Sequence, residues 1–381
     1  MIPPRLADHA ASLAGLARRG RARRLLPALG HDFASNDYLG LAGSPALAEA
    51  VAEALSRGVA VGSGGSRLLR GNAVEHEALE EEAAAFFGAP RSLFFSTGHA
   101  ANLAIFAALP RRGDLVVHDA LIHASVHDGL ALGRAEIASA AHGDVAAFAE
   151  AIADWRRRGG RGRPWIAVES LYSMDGDRAP LAELAALAEA TDGFLVVDEA
   201  HATGVFGPGG RGLAADLDGR ENVVVLHTCG KALGAAGALV CAHPILVDTL
   251  IDRARSFLYS TAPSPLLAAA VRAALRLVAA EPERRERLAA RVALAERRLA
   301  ETLAVAPSGS QILPVPIGDN ARAVRIAAAM RESGFDLRAI RPPTVPEGTA
   351  RLRLSITLNV DEPTIAAAID RLAAVMAEDR R

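Results

Sequence analysis

One residue type in this chain is so rare that it points to a particular chemistry. The 42 basic residues comprise 41 arginines and a single lysine, Lys231. Arginine replaces lysine in solvation and in most ion pairs, but its guanidinium stays protonated and does not form an imine. A lysine retained where every other basic position is arginine is therefore a candidate for amine chemistry. The alternative is that this one lysine was retained by chance. Composition alone does not decide between amine chemistry and chance.

A second candidate lies in the segment FLVVDEAHATG, residues 194–204, where an apolar run ends in Asp198 and His201 follows three residues later. One interpretation is the DEAH box of a nucleotide-driven helicase. That motif requires a GxxxxGK[ST] phosphate loop upstream, and none is present. The other interpretation places Asp198 against the protonated ring nitrogen of pyridoxal phosphate, where a carboxylate strengthens the ring as an electron sink. Because Lys231 follows the next predicted strand, 222–226, both side chains are expected at one crevice.

The segment STGHAAN, residues 96–102, lies between a short apolar run and a helical one. A strand, a glycine turn and a helix start leave free backbone N–H groups and a favourable dipole, which suit a phosphate. Thr97 adds a hydroxyl donor. An ordinary capped helix start is the alternative, and this segment taken alone favours it.

Two further motifs invite interpretations that their context does not support. His123 and His127 have the i, i+4 spacing of a metal pair, but no third ligand has convincing spacing, so no metal site is expected. His123, just beyond the predicted strand 115–117, could instead stack on a planar cofactor. GPGGRG, residues 207–212, matches the GxGxxG pattern of dinucleotide sites, yet it contains a proline and opens no clear helix, so we interpret it as a turn.

Short apolar runs alternate with helical stretches between about residues 90 and 242. The runs are at 93–95, 115–117, 165–169, 194–198, 222–226 and 237–241. This alternation predicts an α/β fold with a mainly parallel sheet covered on both faces. The residues singled out above should then lie at the carboxyl ends of the strands.

The pattern changes at STAPSP, residues 260–265. The elements predicted after it are a long helical region at 266–303, a strand at 312–317, a helix near 320–332 and an alternating strand at 351–357. In RLRLSIT one face is apolar and the other polar, as in an antiparallel sheet with one solvated face. We predict an N-terminal arm (1–45), a large α/β domain (46–270) and a smaller C-terminal α+β domain (271–381).

Composition argues against several classes of partner. The 42 basic and 44 acidic residues are nearly balanced, which gives no reason to expect a nucleic acid or an acidic membrane. No run of eighteen uncharged apolar residues is present, so no transmembrane helix is predicted. The two cysteines, Cys229 and Cys241, are not spaced as CxxC, which indicates a reduced, cytoplasmic protein. The arginine-rich N-terminus contains Asp8 and is poor in serine, so we interpret it as a structural arm rather than a transit peptide.

Together these motifs resemble the α-oxoamine synthase family, which are pyridoxal-phosphate enzymes of the aspartate-aminotransferase fold (fold type I). The resemblance runs from about residue 33 to 357. It is carried by SNDYLGL (35–41), GSGGSR (62–67), HAS (123–125), SMDGD (173–177), VDEAHATG (197–204), TCGK (228–231) and PPTVPEGTARLRLS (342–355). Several long motifs in one order are far more specific than any of them alone.

The resemblance implies a role for residues in each motif. Lys231 would carry pyridoxal phosphate as a Schiff base and serve as the base, and Asp198 would pair with the ring nitrogen. The other expected catalytic residues are His123, stacked on the ring face, and His201. The resemblance further implies that the phenolic oxygen is contacted by Ser173 and His201, and the phosphate by Gly98, His99 and Thr228. The substrate carboxylate would be contacted by Asn36 and Arg353. The acyl thioester would be contacted by Ser66 and Thr344.

The reaction implied by the resemblance is the decarboxylative condensation of a small amino acid with an acyl thioester, in a homodimer with shared active sites. GSGGSR and RPPTVPEGTARLRLS are most similar to members that use L-alanine with a pimeloyl thioester, carried on CoA or on acyl carrier protein. Relatives that use glycine or serine with another acyl thioester are the alternative. His99 stands where an aromatic residue is usual, and Cys229 replaces a common Phe or Leu. Both adjoin the cofactor rather than its reactive atoms.

Overall fold

The computed structural model describes residues 2–379, which pack as two compact units. The larger unit comprises 39–173 and 177–285, and the smaller unit comprises 2–38, 174–176 and 286–379. The predicted domain boundaries after residues 45 and 270 stay predictions. Within the described residues, no helix is both long and apolar enough to cross a bilayer.

Strands and α-helices alternate through most of the described chain. The strands are β1 His31–Asp32, β2 Arg91–Phe95, β3 Leu115–Asp119, β4 Glu136–Ala140, β5 Pro164–Glu169, β6 Phe194–Asp198, β7 Val223–Thr228, β8 Ala238–Ala242, β9 Ile312–Gly318, β10 Phe335–Asp336, β11 Arg338–Ile340 and β12 Ala350–Ser355. The helices are α1 Ala7–Arg18, α2 Pro45–Ser56, α3 Val74–Phe87, α4 Gly98–Ala108, α5 Ala124–Leu132, α6 Val145–Arg157, α7 Leu181–Ala190, α8 Pro244–Arg253, α9 Arg255–Leu258, α10 Pro265–Ala280, α11 Pro282–Leu303, α12 Asn320–Glu332 and α13 Glu362–Glu378.

Seven strands of the larger unit form one sheet in the order β2-β8-β7-β6-β5-β3-β4. β8 is antiparallel to both of its neighbours, and the remaining pairs are parallel. β3, β5 and β8 are buried along their whole length, as expected for a sheet covered on both faces. The predicted α/β fold with a mainly parallel sheet is confirmed.

The carboxyl ends of the parallel strands form the polar edge of this sheet. β5 ends at Glu169 and β6 at Asp198, and the register pairs these two residues side by side. α4 begins directly after β2, where Thr97 caps the helix by accepting a hydrogen bond of 3.0 Å from the Ala100 N–H. α5 begins after β3 with His123 as its N-cap. The chain thus presents side chains and helix starts at one edge.

An apolar core beneath this edge holds the elements rigidly. Phe106, Val126 and Leu250 come from α4, α5 and α8, and they pack with the sheet residues Val196 and Val240. Burying each such side chain contributes about 1.5–3 kcal/mol. The polar residues at the strand ends are therefore supported by a packed base.

The smaller unit contains a three-stranded antiparallel sheet in the order β11-β12-β9. α12 packs on this sheet and on α13. A second pairing joins β1 to β10 in parallel. The strands predicted at 312–317 and 351–357 are present as β9 and β12, so the smaller α+β part of the predicted fold is confirmed.

The long helical region predicted at 266–303 is present, and it is divided into two helices. α10 ends at Ala280 and α11 begins at Pro282. Proline lacks an N–H group, and its ring disfavours helical backbone at the residue before it. Glu281 accordingly leaves the helical region, with φ −117° and ψ 66°.

Candidate active site

A cavity of about 310 Å³ lies at the carboxyl edge of the parallel strands, within the larger unit. Sites for small molecules typically measure ~300–1,000 Å³, so this cavity suits a ligand of cofactor size. The predicted residues that line it are Gly98, His99, His123, Asp198, His201, Thr228 and Lys231. The structure therefore brings the chain's lysine into one cavity with the strand-end aspartate and the glycine turn.

The amino end of α4 forms one wall of the cavity. A Cβ atom on Gly98 would lie 2.7 Å from Thr228 Cγ2, so glycine is what allows this turn to approach Thr228. The first N–H groups of a helix lack partners within the helix, and the helix dipole makes this end positive. His99 and Thr97 line the same wall. Backbone N–H groups and a threonine hydroxyl are donors that suit a phosphate.

A chain of hydrogen bonds links Asp198 to His123 beneath the cavity. Asn102 Nδ2 donates to Asp198 Oδ2 at 2.9 Å and to Ser125 Oγ at 2.9 Å. Ser125 Oγ lies 2.8 Å from His123 Nδ1. Because Asn102 already donates to the serine hydroxyl, that hydroxyl directs its own proton to Nδ1, which leaves the proton of a neutral ring on Nε2. Asp198 Oδ1 also accepts from the Ala200 N–H at 2.9 Å, so the carboxylate is held at both oxygens.

The His123 ring is neutral because of its surroundings. Burial lowers its pKa, Asp198 partly opposes that effect, and the positive charge of Lys231 lowers the pKa again. A neutral imidazole stacks on a cationic aromatic ring without charge repulsion. The position and charge state of His123 thus fit the stacking role that the resemblance implies.

Glu169 is a second acid in the cavity wall, and sequence reasoning missed it. It lies beside Asp198 in the strand register. Burial and the charge of Asp198 raise the pKa of Glu169 to about 8, so at pH 7 this carboxyl is mainly protonated. The signal that could have found it is its place at the carboxyl end of a predicted strand, which is the rule that selected Asp198.

Asn102 and Ser125 were also missed as cavity residues, although both stand inside motifs that carry the resemblance or the phosphate prediction. Ser173 is buried but is not among the lining residues, and its backbone N–H lowers the pKa of the Glu169 carboxyl. Sequence motifs locate such residues without showing which of them point into a cavity.

The two acids of the DEAH segment have different surroundings. Asp198 lines the cavity, whereas the Glu199 carboxyl accepts hydrogen bonds from the backbone N–H groups of Leu213 and Ala214. This separation does not suit a magnesium ion held by both acids. His127, the partner in the possible metal pair, packs edge-on against His118 with ring centroids 4.7 Å apart.

Asn36 and Arg353 lie together in the smaller unit. Arg353 is buried, and its Nη2 atom donates to Asn36 Oδ1 at 3.1 Å, while Nη1 donates to Ser355 Oγ at 2.8 Å. Tyr38 Oη also donates to Asn36 Oδ1, at 3.0 Å. The guanidinium is thereby held in one orientation, as a binder of a carboxylate requires.

Ser66 and Thr344 do not line the main cavity. Ser66 lies in a loop of the larger unit, where its carbonyl accepts from the N–H groups of Leu69 and Gly71. Thr344 lines a cavity of about 130 Å³ in the smaller unit. The charged residues of that cavity are Arg21, Arg23 and Arg341. Clustered guanidinium groups favour an anionic ligand there.

Comparison with known protein families and curated proteins finds strong similarity over most of the chain. The model of the family described as aminotransferase class I and II matches residues 30–372. The 8-amino-7-oxononanoate synthase of Chromobacterium violaceum is 45% identical over 340 residues, which cover 89% of this chain and 87% of that protein. The synthase of Burkholderia thailandensis is 47% identical over 334 residues, covering 85% and 83% of the two chains.

Solved structures are similar along nearly the whole length. Serine palmitoyltransferase from S. paucimobilis, solved with a bound PLP–myriocin adduct, superposes with a TM-score of 0.89 at 27% identity and covers 98% of both chains. The 8-amino-7-oxononanoate synthase of Francisella tularensis has a TM-score of 0.77 at 27% identity, covering 92% of this chain and 99% of that one.

Proposed function

We infer the activity from one premise: the chain belongs to the aminotransferase class I and II family, and within it to the α-oxoamine synthases that depend on pyridoxal phosphate. We propose that it condenses L-alanine with pimeloyl-CoA or pimeloyl-acyl carrier protein. The products are 8-amino-7-oxononanoate, carbon dioxide and the free thiol carrier, in biotin biosynthesis. The observation that carries the proposal is the cavity that unites Lys231, Asp198 and the amino end of α4.

The residues that line this cavity suit the phosphate and the ring of pyridoxal phosphate. The backbone of Gly98 and His99, with Thr228, would hold the phosphate, and Asp198 would face the ring nitrogen. When bound, the cofactor withdraws electrons from the substrate Cα so that a proton can leave. His123 would lie on the ring face, and Ser173 and His201 would contact the phenolic oxygen.

Lys231 would have two successive tasks. Its Nζ atom would hold the aldehyde carbon of the cofactor before substrate arrives. With the amino acid bound, the same Nζ would accept the proton from the substrate Cα. Asp198 and Lys231 line the same cavity. A cofactor held there would keep the substrate Cα near the amine that accepts its proton.

The substrate groups are assigned to the remaining predicted residues. Arg353, held by Asn36, would bind the carboxylate of the amino acid. Ser66 and Thr344 would contact the acyl thioester, with some of these residues supplied by the second subunit of a homodimer. The arginine-lined cavity beside Thr344 supports an acyl donor that carries negative charge. We place this reaction in the cytoplasm.

The identity of the relatives favours this proposal over its alternative. Curated 8-amino-7-oxononanoate synthases are 42–47% identical to the chain. The serine palmitoyltransferases with similar structures are 26–29% identical.

Two measurements test the proposal. Purified protein should be yellow and lose its colour with borohydride, which reduces the imine on Lys231. Thiol release should then be compared for alanine, glycine and serine against pimeloyl-CoA, pimeloyl-acyl carrier protein and shorter acyl-CoAs. We expect alanine with a pimeloyl thioester to give the highest kcat/KM. Colourless protein that does not respond to added pyridoxal phosphate would refute the cofactor assignment, and a preference for glycine or serine would refute the substrate assignment.

A further inference from the structure

Glu169 is a buried carboxyl in the cavity wall to which the proposed reaction assigns no role. It ends β5 and is 2% exposed, and its Oε1 atom has no hydrogen-bond partner among the described residues. Burying a polar group that is not fully bonded lowers the stability of the folded protein. A carboxyl at this position is therefore retained against a cost in stability, and the contacts it does make must offset that cost.

The contacts of the Glu169 carboxyl join two loops. The backbone N–H groups of His123 and Ser173 both act on it and lower its pKa, against the larger effect of burial. His123 lies in the loop after β3, Ser173 lies in the loop after β5, and these two strands are neighbours in the sheet. One side chain thus interacts with the backbone at the two residues proposed to contact the ring face and the phenolic oxygen.

A second link joins the same two loops further from the cavity. His142 Nδ1 lies 2.8 Å from Asp119 Oδ1, and His142 Nε2 lies 2.7 Å from Asp177 Oδ2. Asp119 ends β3, and Asp177 ends the SMDGD segment that follows β5. Glu169 thus connects the two loops at residues 123 and 173, and His142 connects them at residues 119 and 177. Both connections restrict movement of one loop relative to the other.

We propose that Glu169 is a positioning residue that fixes the backbones of His123 and Ser173 and so sets both side chains for the cofactor ring. This inference rests on the proposed function, which gives those two residues their roles. A neutral carboxyl suits the task, because it accepts from both N–H groups without repelling Asp198. It also keeps an O–H donor at the other oxygen.

Two substitutions at position 169 separate positioning from charge. Glu169→Gln keeps a carbonyl acceptor for the two N–H groups and an N–H donor at the other atom, so it imitates the protonated acid. Glu169→Met keeps the approximate volume but removes the acceptor. Glu199→Met is the matched control, since Glu199 is also a fully buried carboxyl that bonds two backbone N–H groups, yet it does not line the cavity.

The holoenzymes should be compared by the Kd for pyridoxal phosphate, the circular dichroism of the bound chromophore and the melting temperature. We expect Glu169→Met to raise Kd about tenfold or more and to reduce the chromophore signal, because both N–H groups lose their acceptor. Glu169→Gln should stay within about threefold of the wild type. Glu199→Met should lower the melting temperature and leave the chromophore signal unchanged.

The inference is overturned if Glu169→Met binds the cofactor with wild-type affinity and chromophore signal, or if Glu199→Met changes that signal equally. If Glu169→Met does not fold, Glu169→Gln decides: wild-type Kd and signal support the inference, and a tenfold loss overturns it. Wild-type protein that does not bind pyridoxal phosphate would instead refute the proposed function, so the two failures are distinguishable.

Discussion

Lys231 is the residue on which the proposed chemistry depends most directly. It lines the cavity with Asp198 and His123, and its charge acts on both His123 and Glu169. The sequence predicts this residue for a chemical reason, because arginine elsewhere in the chain serves every purpose except that of a nucleophilic amine. Glu169 could not be predicted as a site residue in the same way, because the chain contains 44 acidic residues. Only its burial beside Asp198 distinguishes it from the others.

Replacing Lys231 by arginine keeps the positive charge and removes the reactive amine. We expect Lys231→Arg to lower kcat at least about a thousandfold, because both the covalent anchor and the base are lost. The borohydride-sensitive colour should disappear as well. The measurement is thiol release together with the absorbance spectrum, and Arg112→Lys, at an exposed position, is the control. Turnover above a tenth of the wild-type rate would contradict the assignment of Lys231.

The loops after β3 and β5 are linked by a histidine that lies between two carboxylates. Both ring nitrogens of His142 face a carboxylate oxygen, at 2.8 and 2.7 Å, which requires a protonated ring. Burial by itself would lower the pKa of His142, but the hydrogen bonds and charges of Asp119 and Asp177 outweigh it and raise the pKa above 6.5. The link therefore depends on pH, which no motif in the sequence predicts.

The raised pKa gives the stability of the holoenzyme a defined pH dependence. His142 contributes fully below the ordinary histidine pKa of 6.5, and its contribution is lost as pH rises through the raised pKa of the folded state. We expect His142→Gln to cost about 1–2 kcal/mol at pH 6, after allowance for partial exposure, and less as pH rises to 9. Melting temperatures between pH 6 and 9 test this. His9→Gln, at an exposed position, should show no such trend, and a cost that is constant or grows with pH would contradict it.

The larger unit exposes apolar side chains around the GSGGSR segment, residues 62–67. Val61, Leu68, Leu69 and Val74 are exposed by 70%, 52%, 81% and 79%. Clustering of apolar side chains at a surface is typical of an interface. Their position beside Ser66 supports the proposed homodimer, in which this segment would contribute to an active site.

A charge placed in this segment should weaken the dimer. We expect the wild-type protein to sediment at twice the mass of one chain and Leu69→Asp to raise the dimer dissociation constant about tenfold or more. Ile245→Asp is the control, because Ile245 is 68% exposed and lies outside the segment. A monomeric wild type, or an equal effect of both substitutions, would count against the interface.

Features that depend on residue chemistry and on local spacing could be predicted from the amino-acid sequence. These are the single reactive amine, the alternation of strands and helices, and the glycine turn at the start of α4, because each follows from one residue type or a short run of residues. Tertiary structure decided which distant residues meet. Asn102 reaches Asp198 across 96 positions and Ser125 across 23, and this contact orients His123. Burial then set the protonation of Glu169 and His123, since the cost of a charge depends on its surroundings in the folded protein.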